Sequence, residues 1–127
     1  SGANSIAQRA TIAALQANPS QIKYMVDAFH KRRDLVFGLM KDIPGFKLTN
    51  PEGAFYVFPD VSYYFGKTVK GTEIKDATDF AMYLLAEANV ATVTGEAFGS
   101  PNCLRLSYAT SEEQLIEAIS RIKNALA

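Results

Sequence analysis

"VATVTGEAFGSPNCLRLSYATSEEQLIEAISRI", residues 90–122, decides how the chain folds. It holds two short segments rich in β-branched and apolar residues, then a helical pattern. "VATVT" at 90–94 reads as a strand, "GEAFGSPN" at 95–102 as a glycine-punctuated loop, and "CLRLSY" at 103–108 as the last strand. Side chains alternate along a strand. Leu104, Leu106 and Tyr108 therefore share one face, and Arg105 and Ser107 share the other. "TSEEQLIEAISRIKNAL" follows as a helix, with Ser111 and Gln114 spaced as a capping box. Leu115, Ile119, Ile122 and Leu126 make its apolar stripe. An arginine at the centre of a short apolar strand raises a question of charge. A guanidinium cannot lose its proton, so it needs an anion, either internal or from a ligand.

Working back from that stretch, "DATDFAMYLLAEAN" at 76–89 reads as a helix with Phe80, Leu84, Leu85 and Ala88 inward. "FKL" at 46–48 and "AFYVF" at 54–58 flank the turn "TNPEG", which suggests a hairpin ended by Pro59. Residues 60–75 read as an irregular excursion with Gly66 and Gly71. The longest element is a helix over residues 20–42, capped by Ser20 after Pro19 and stopped by "IPG". Ile22, Val26, Phe29, Val36, Met40 and Ile43 recur along it at helical spacing. At about 34 Å it is long for so small a domain and suggests a bridge between domains. "SIAQRATIAALQA" at 5–17 is an alanine-rich helix before it. The order predicts an α+β fold: a small mixed or antiparallel sheet of three to four strands covered by helices. Residues 1–43 form the N-terminal helix and long connector, and residues 44–127 the small domain.

Composition bounds the function. The 127 residues carry 13 basic and 13 acidic side chains, so the net charge is zero. The longest basic run is "HKRR" at 30–33, read as a solvated helix face, which argues against nucleic acid as a main partner. No apolar run approaches the length of a membrane span, and no signal-peptide pattern opens the chain. The single cysteine, Cys103, excludes an internal disulfide and fits a reducing, cytoplasmic compartment. "SGANS" passes straight into a helix without an initiator methionine, so the chain is expected to be processed or a piece of something longer.

Few residues could do chemistry. His30 is the only histidine and lies beside an apolar helix stripe, which favours a structural or surface role. Cys103 abuts Leu104 and reads as packing rather than as a reactive thiol. One His and one Cys do not make a zinc site. "GEAFG" lacks the spacing of a phosphate-cradling loop. What remains is Arg105, whose planar fork matches a carboxylate through two parallel hydrogen bonds. Spacing alone leaves open whether its partner is a small acid or an internal carboxylate such as Glu96 or Glu52.

"NPEGAFYVFPDVS" at 50–62 and the 90–122 stretch resemble the C-terminal small domain of class I, fold-type I pyridoxal-phosphate aminotransferases, in the aspartate-aminotransferase-like branch. The likeness runs over essentially the whole chain: "SIAQRATIAAL" is similar to the helix after the cofactor-lysine region, and the long helix to the connector. The G-x-x-F-G loop followed by R-L-S-Y-A carries most of it, and "GAFY" adds weight. Thr94 departs from the proline that many relatives place there. The resemblance implies that Arg105 binds the α-carboxylate of an amino-acid substrate. It also implies amino-group transfer between an amino acid such as aspartate and a 2-oxo acid such as 2-oxoglutarate. Pyridoxal 5'-phosphate would be the cofactor, bound by a large domain outside this chain, and the parent a homodimer. The cofactor lysine of the family lies in an S-K-x-x-x-x-x-G-x-R context. None of Lys23, Lys31, Lys41, Lys47, Lys67, Lys70, Lys75 and Lys123 does. No catalytic, cofactor-binding or metal-binding residue is therefore expected in this chain, and it is expected to be inactive alone. A stand-alone small-acid-binding module and a pure interaction domain remain the alternatives.

Overall fold

The computed structural model describes residues 2–127. Helix α1 (Ser5–Gln16) begins where the Asn4 carboxamide oxygen accepts the amides of Ile6 and Ala7 at 2.8 and 3.3 Å. None of its residues is buried; Ile6 and Leu15 are 78% and 83% exposed. It is thus sustained by alanine-rich propensity rather than by packing.

The expected helix over 20–42 is divided. Pro19–Ile22 forms a 3-10 turn, and α2 runs Lys23–Met40. The cap is Asn18, not Ser20: its side chain accepts the Ser20 amide at 2.9 Å. Ile22, at φ −107° and ψ 6°, leaves helical geometry and separates the turn from α2. Only the C-terminal part of the predicted stripe reaches the core. Val36, Met40 and Ile43 are buried and Phe29 packs against them, whereas Ile22 and Val26 face out.

The predicted hairpin at 46–58 is reduced to one bridge, Lys47 to Asp60, with amide-to-carbonyl distances of 2.9 and 3.0 Å. Strand β1 (Tyr56–Val57) pairs instead with a strand far along the chain. The connection between holds Ala54 in the left-handed region at φ 57°. A true hairpin lies in the segment read as irregular. There β2 (Lys67–Val69) and β3 (Thr72–Ile74) are joined by Lys70 and Gly71, both at positive φ (46° and 89°). This is the two-residue turn whose twist matches antiparallel strands.

Helix α3 (Ala77–Ala88) starts at Asp76, whose carboxylate accepts the Thr78 and Asp79 amides, and ends on Asn89 in the left-handed region. Phe80, Leu84 and Ala88 are buried as predicted. Leu85 is not: Tyr83 takes the inward position and donates its hydroxyl to the Ala125 carbonyl at 2.6 Å. Strand β4 (Val93–Thr94) and strand β5 (Leu104–Ser107) complete an antiparallel sheet of order β1-β5-β4. Helix α4 (Glu112–Leu126) follows, with half of the predicted box. Ser111 Oγ accepts the Gln114 amide at 3.3 Å, but the Gln114 side chain turns to the Thr110 hydroxyl. Leu115, Ile119, Ile122 and Ala125 are its buried positions, with Leu126 at the margin.

The fold class is therefore the one expected, α+β with small antiparallel sheets covered by helices. Leu104 and Val57 face a core shared with α2, α3 and α4, at 0% and 1% exposure. Arg105, one residue along β5, points to the opposite face of that sheet.

Candidate functional site

Arg105 occupies the middle strand, directly opposite Val93 of β4. Tyr56 of β1 pairs with Ser107, so it lies on the same face as Arg105 and diagonal to it. The loop after β4 folds back over this face as a 3-10 turn, Gly95–Phe98, closed by Gly99 at φ 75°. Its backbone is tied at close range: Gly95 N to Cys103 O at 2.7 Å, Ser100 N to Gly95 O at 3.0 Å, and Cys103 N to Ser100 O at 3.0 Å. That closure sets Phe98 beside the arginine.

The guanidinium carbon of Arg105 lies 4.4 Å from the Tyr56 ring centroid and 4.2 Å from that of Phe98. Tyr56 reaches it from β1, and Phe98 from the turn that follows β4. Phe98 is itself supported edge-on by Phe58, at 6.2 Å and 86°. Neither Glu96 nor Glu52 pairs with Arg105, and among the described residues no carboxylate forms a salt bridge with it. Aromatic faces satisfy the charge of the guanidinium but accept none of its in-plane N–H groups well. The fork is thus held in place and not consumed. A site of this kind can grip a planar anion in the guanidinium plane.

The other sequence candidates lie elsewhere or have structural duties. His30 is exposed on α2. Of the neighbouring basic side chains, Lys31 ties α2 to α4 by pairing with Glu112 at 2.9 Å, while Arg33 pairs with Asp34 within α2 at 2.8 Å. Cys103 is half-buried, and burial, followed by the charge of Asp60, pushes its thiol pKa up. It is a poor thiolate nucleophile, as its reading as packing requires. Asp60 itself is held below the usual carboxylate range, chiefly by the Ser62 side chain, with the Ser62 amide donating as well at 2.8 Å. The described residues contain no group of three or more His, Cys, Asp or Glu able to hold a metal. A cleft of about 460 Å³ beside β3 and α3 is lined by three carboxylates, Glu73, Asp79 and Glu87, against one lysine, Lys75, a balance of charge unfavourable to an acid ligand.

Pyridoxal phosphate does not fit the residues present. A Schiff-base lysine needs an enclosed site that lowers its pKa. Seven of the eight lysines are exposed, and Lys123 is half-exposed on the last turn of α4. Several are committed: Lys23 to Asp27, Lys47 to Asp60, Lys67 over the Tyr63 ring.

Sequence reasoning singles out Arg105 as a candidate but not the two rings that contact it, Tyr56 and Phe98. The available signal was a bulky aromatic at 98 inside a turn bounded by Gly95 and Gly99, where polar residues are the norm.

The profile of the family "Aminotransferase class I and II" matches residues 2–122. The chain belongs to that family. The chain is 44% identical over 130 residues to the bifunctional aspartate aminotransferase and glutamate/aspartate-prephenate aminotransferase of Petunia hybrida. That match takes in 99% of the chain and 27% of the relative. It superposes on the crystal structure of the aspartate aminotransferase from Rhizobium meliloti with TM-score 0.89 and 44% identity, over 97% of this chain and 31% of that one. The alanine aminotransferase of Pyrococcus furiosus gives TM-score 0.84 at 30% identity, over 97% of this chain and 30% of that one. The chain thus spans less than a third of the length of these relatives.

Proposed function

We propose that this chain is the carboxylate-binding lobe of an aspartate-type aminotransferase, with Arg105 gripping the α-carboxylate of the amino-acid or 2-oxo-acid substrate. The observation that carries this reading is the Arg105 fork, immobilised by two aromatic rings and paired with no carboxylate among the described residues. Relatives named for aspartate and for alanine differ in the amino-acid side chain they act on. The α-carboxylate is common to both, and a site on the shared lobe is suited to the shared group. Two parallel charged hydrogen bonds fix the substrate in position and in plane. Movement of the lobe toward the rest of the enzyme would then exclude water around that ion pair.

In this reading residues 1–43 supply a helix and connector and residues 44–127 the mobile small domain. Pyridoxal phosphate and its lysine belong to the part of the enzyme that the chain does not span. The parent acts as a cytoplasmic homodimer on aspartate and 2-oxoglutarate. No helix of the described residues is long and apolar enough to cross a membrane.

Two outcomes are expected. The purified 127-residue chain produces no glutamate from aspartate and 2-oxoglutarate, with or without added pyridoxal phosphate; appreciable turnover would refute the lobe reading. In the intact enzyme, Arg105→Lys lowers kcat/KM by about thirtyfold or more, about 2 kcal/mol, because an ammonium cannot reproduce the planar fork. An unchanged kcat/KM removes Arg105 from the carboxylate site.

A further inference from the structure

We infer that Tyr56 and Phe98 are positioning residues: their rings set the plane of the Arg105 guanidinium before any ligand arrives, and so set the affinity for the carboxylate. The inference rests on the carboxylate reading above and assigns the origin of its strength. Both rings lie outside the buried core. Phe98 is 49% exposed in a turn, a position where folding gains little from a phenyl group. Its near neighbours are Phe58 and the Arg105 guanidinium. Tyr56 in turn leans on Phe55, with centroids 4.4 Å apart, and Phe55 on Phe29 of α2 at 6.1 Å. A row of aromatic contacts thus runs from α2 to Tyr56, and the Arg105 guanidinium touches both Tyr56 and Phe98 of the 95–98 turn.

An unrestrained arginine on an open sheet face samples many rotamers, and binding a ligand would have to freeze them. Stacking removes that freedom in advance, and the cation over an aromatic face adds electrostatic attraction. The faces of the two rings offer no lone-pair acceptor to the in-plane N–H groups. The fork therefore stays available along one edge. A planar carboxylate meets it edge-on, coplanar with the guanidinium.

The test is steady-state kinetics of the intact aminotransferase, with maleate as a competitive dicarboxylate probe. Tyr56→Leu and Phe98→Leu are each expected to raise the maleate Ki and the KM for aspartate about tenfold. Changes in kcat should be smaller. Tyr56→Phe and Phe98→Tyr, which keep the ring, should stay within about twofold of wild type. Phe98→Met retains apolar bulk without a π face and should behave as Phe98→Leu, which separates stacking from filling. In an Arg105→Lys background the leucine substitutions should add little, because the group they orient is gone. Wild-type Ki in the leucine variants, alongside a large Arg105→Lys effect, overturns the clamp and leaves the carboxylate reading intact. Leucine effects that persist undiminished in the Arg105→Lys background also overturn it, since the rings would then act through the fold. An Arg105→Lys enzyme with unchanged KM overturns the carboxylate reading itself.

Discussion

Replacing Phe80 by alanine is expected to cost this chain about 4 kcal/mol of folding stability, the largest effect of any single truncation in its core. The ring is 0% exposed. It stacks on Tyr64 at 4.7 Å and 15°, lies parallel to Tyr83 at 6.4 Å, and meets Phe46 edge-on at 6.1 Å. The cost of such a truncation depends on how far the surroundings collapse into the cavity. Here they are pinned. Tyr64 donates its hydroxyl to the Pro44 carbonyl, and Tyr83 donates to Ala125. Either ring could fill the void only by abandoning its hydrogen bond, which is part-buried for Tyr64 and buried for Tyr83. Burial also pushes the Tyr64 pKa up to about 12, so it remains a protonated donor throughout the neutral range. With total stability of about 5–15 kcal/mol for a typical domain, the variant should retain only a small margin. Urea unfolding at 25 °C measures the loss. Phe80→Leu, which leaves a smaller cavity, should lose about half as much. A Phe80→Ala loss below about 1.5 kcal/mol would mean that the neighbours relax and the aromatic stack is not what holds α3 to the chain.

How much of this was legible in the sequence differs from one element to the next. Phe80, Leu84 and Ala88 follow from spacing, because a helix period is a local property. Leu85 and Tyr83 exchange roles because a tyrosine can bury its ring once its hydroxyl finds an acceptor, and Ala125 supplies one from another helix. No window around residue 83 contains that information. The hairpin at 67–74 is hard to read from sequence for a different reason. Lys-Gly is a weaker turn signal than Asn-Gly, and the flanking strands are only three residues each. The hairpin predicted at 46–58 failed because β1 found a longer partner in β5, a choice made by tertiary packing rather than by the turn.

The candidate site divides along the same line. Arg105 stands out from sequence because a charge at the centre of an apolar strand violates local consistency, and such violations concentrate at functional positions. Whether Glu96 or Glu52 would neutralise it could not be read from spacing. Glu96 is nine positions away along the chain, yet the 3-10 turn presents Phe98, not Glu96, to the arginine. Tyr56 joins the site only through the register that sets it opposite Ser107. Register across distant segments is a cooperative outcome of the whole sheet.

Gly95→Ala tests the device that places Phe98, and it is expected to destabilise the chain by about 3 kcal/mol. The reason is space rather than backbone torsion. A Cβ at residue 95 would stand 2.2 Å from the Ser100 carbonyl oxygen, 2.6 Å from that of Cys103, and 3.0 Å from the Cys103 Cβ. The two closest are backbone atoms, so no rotamer change relieves the clash. Both oxygens also have partners to lose: Cys103 O accepts the Gly95 amide, and Ser100 O accepts the Cys103 amide. Moving either one opens the link between β4 and β5 and lets the 95–98 turn lift away from the sheet. Gly99→Ala is the matched control. Gly99 has positive φ but open space around its missing side chain, so the cost there is the left-handed conformation alone, about 1 kcal/mol. Denaturant unfolding of the two variants should therefore separate them by about 2 kcal/mol. If the proposed clamp holds, Gly95→Ala in the intact enzyme should also raise the maleate Ki, in the direction expected for loss of the Phe98 ring, while Gly99→Ala should disturb it less. Equal stabilities for the two variants would show that the Ser100 peptide swings aside freely, and the turn would then lack the rigidity needed to hold Phe98 against the Arg105 guanidinium.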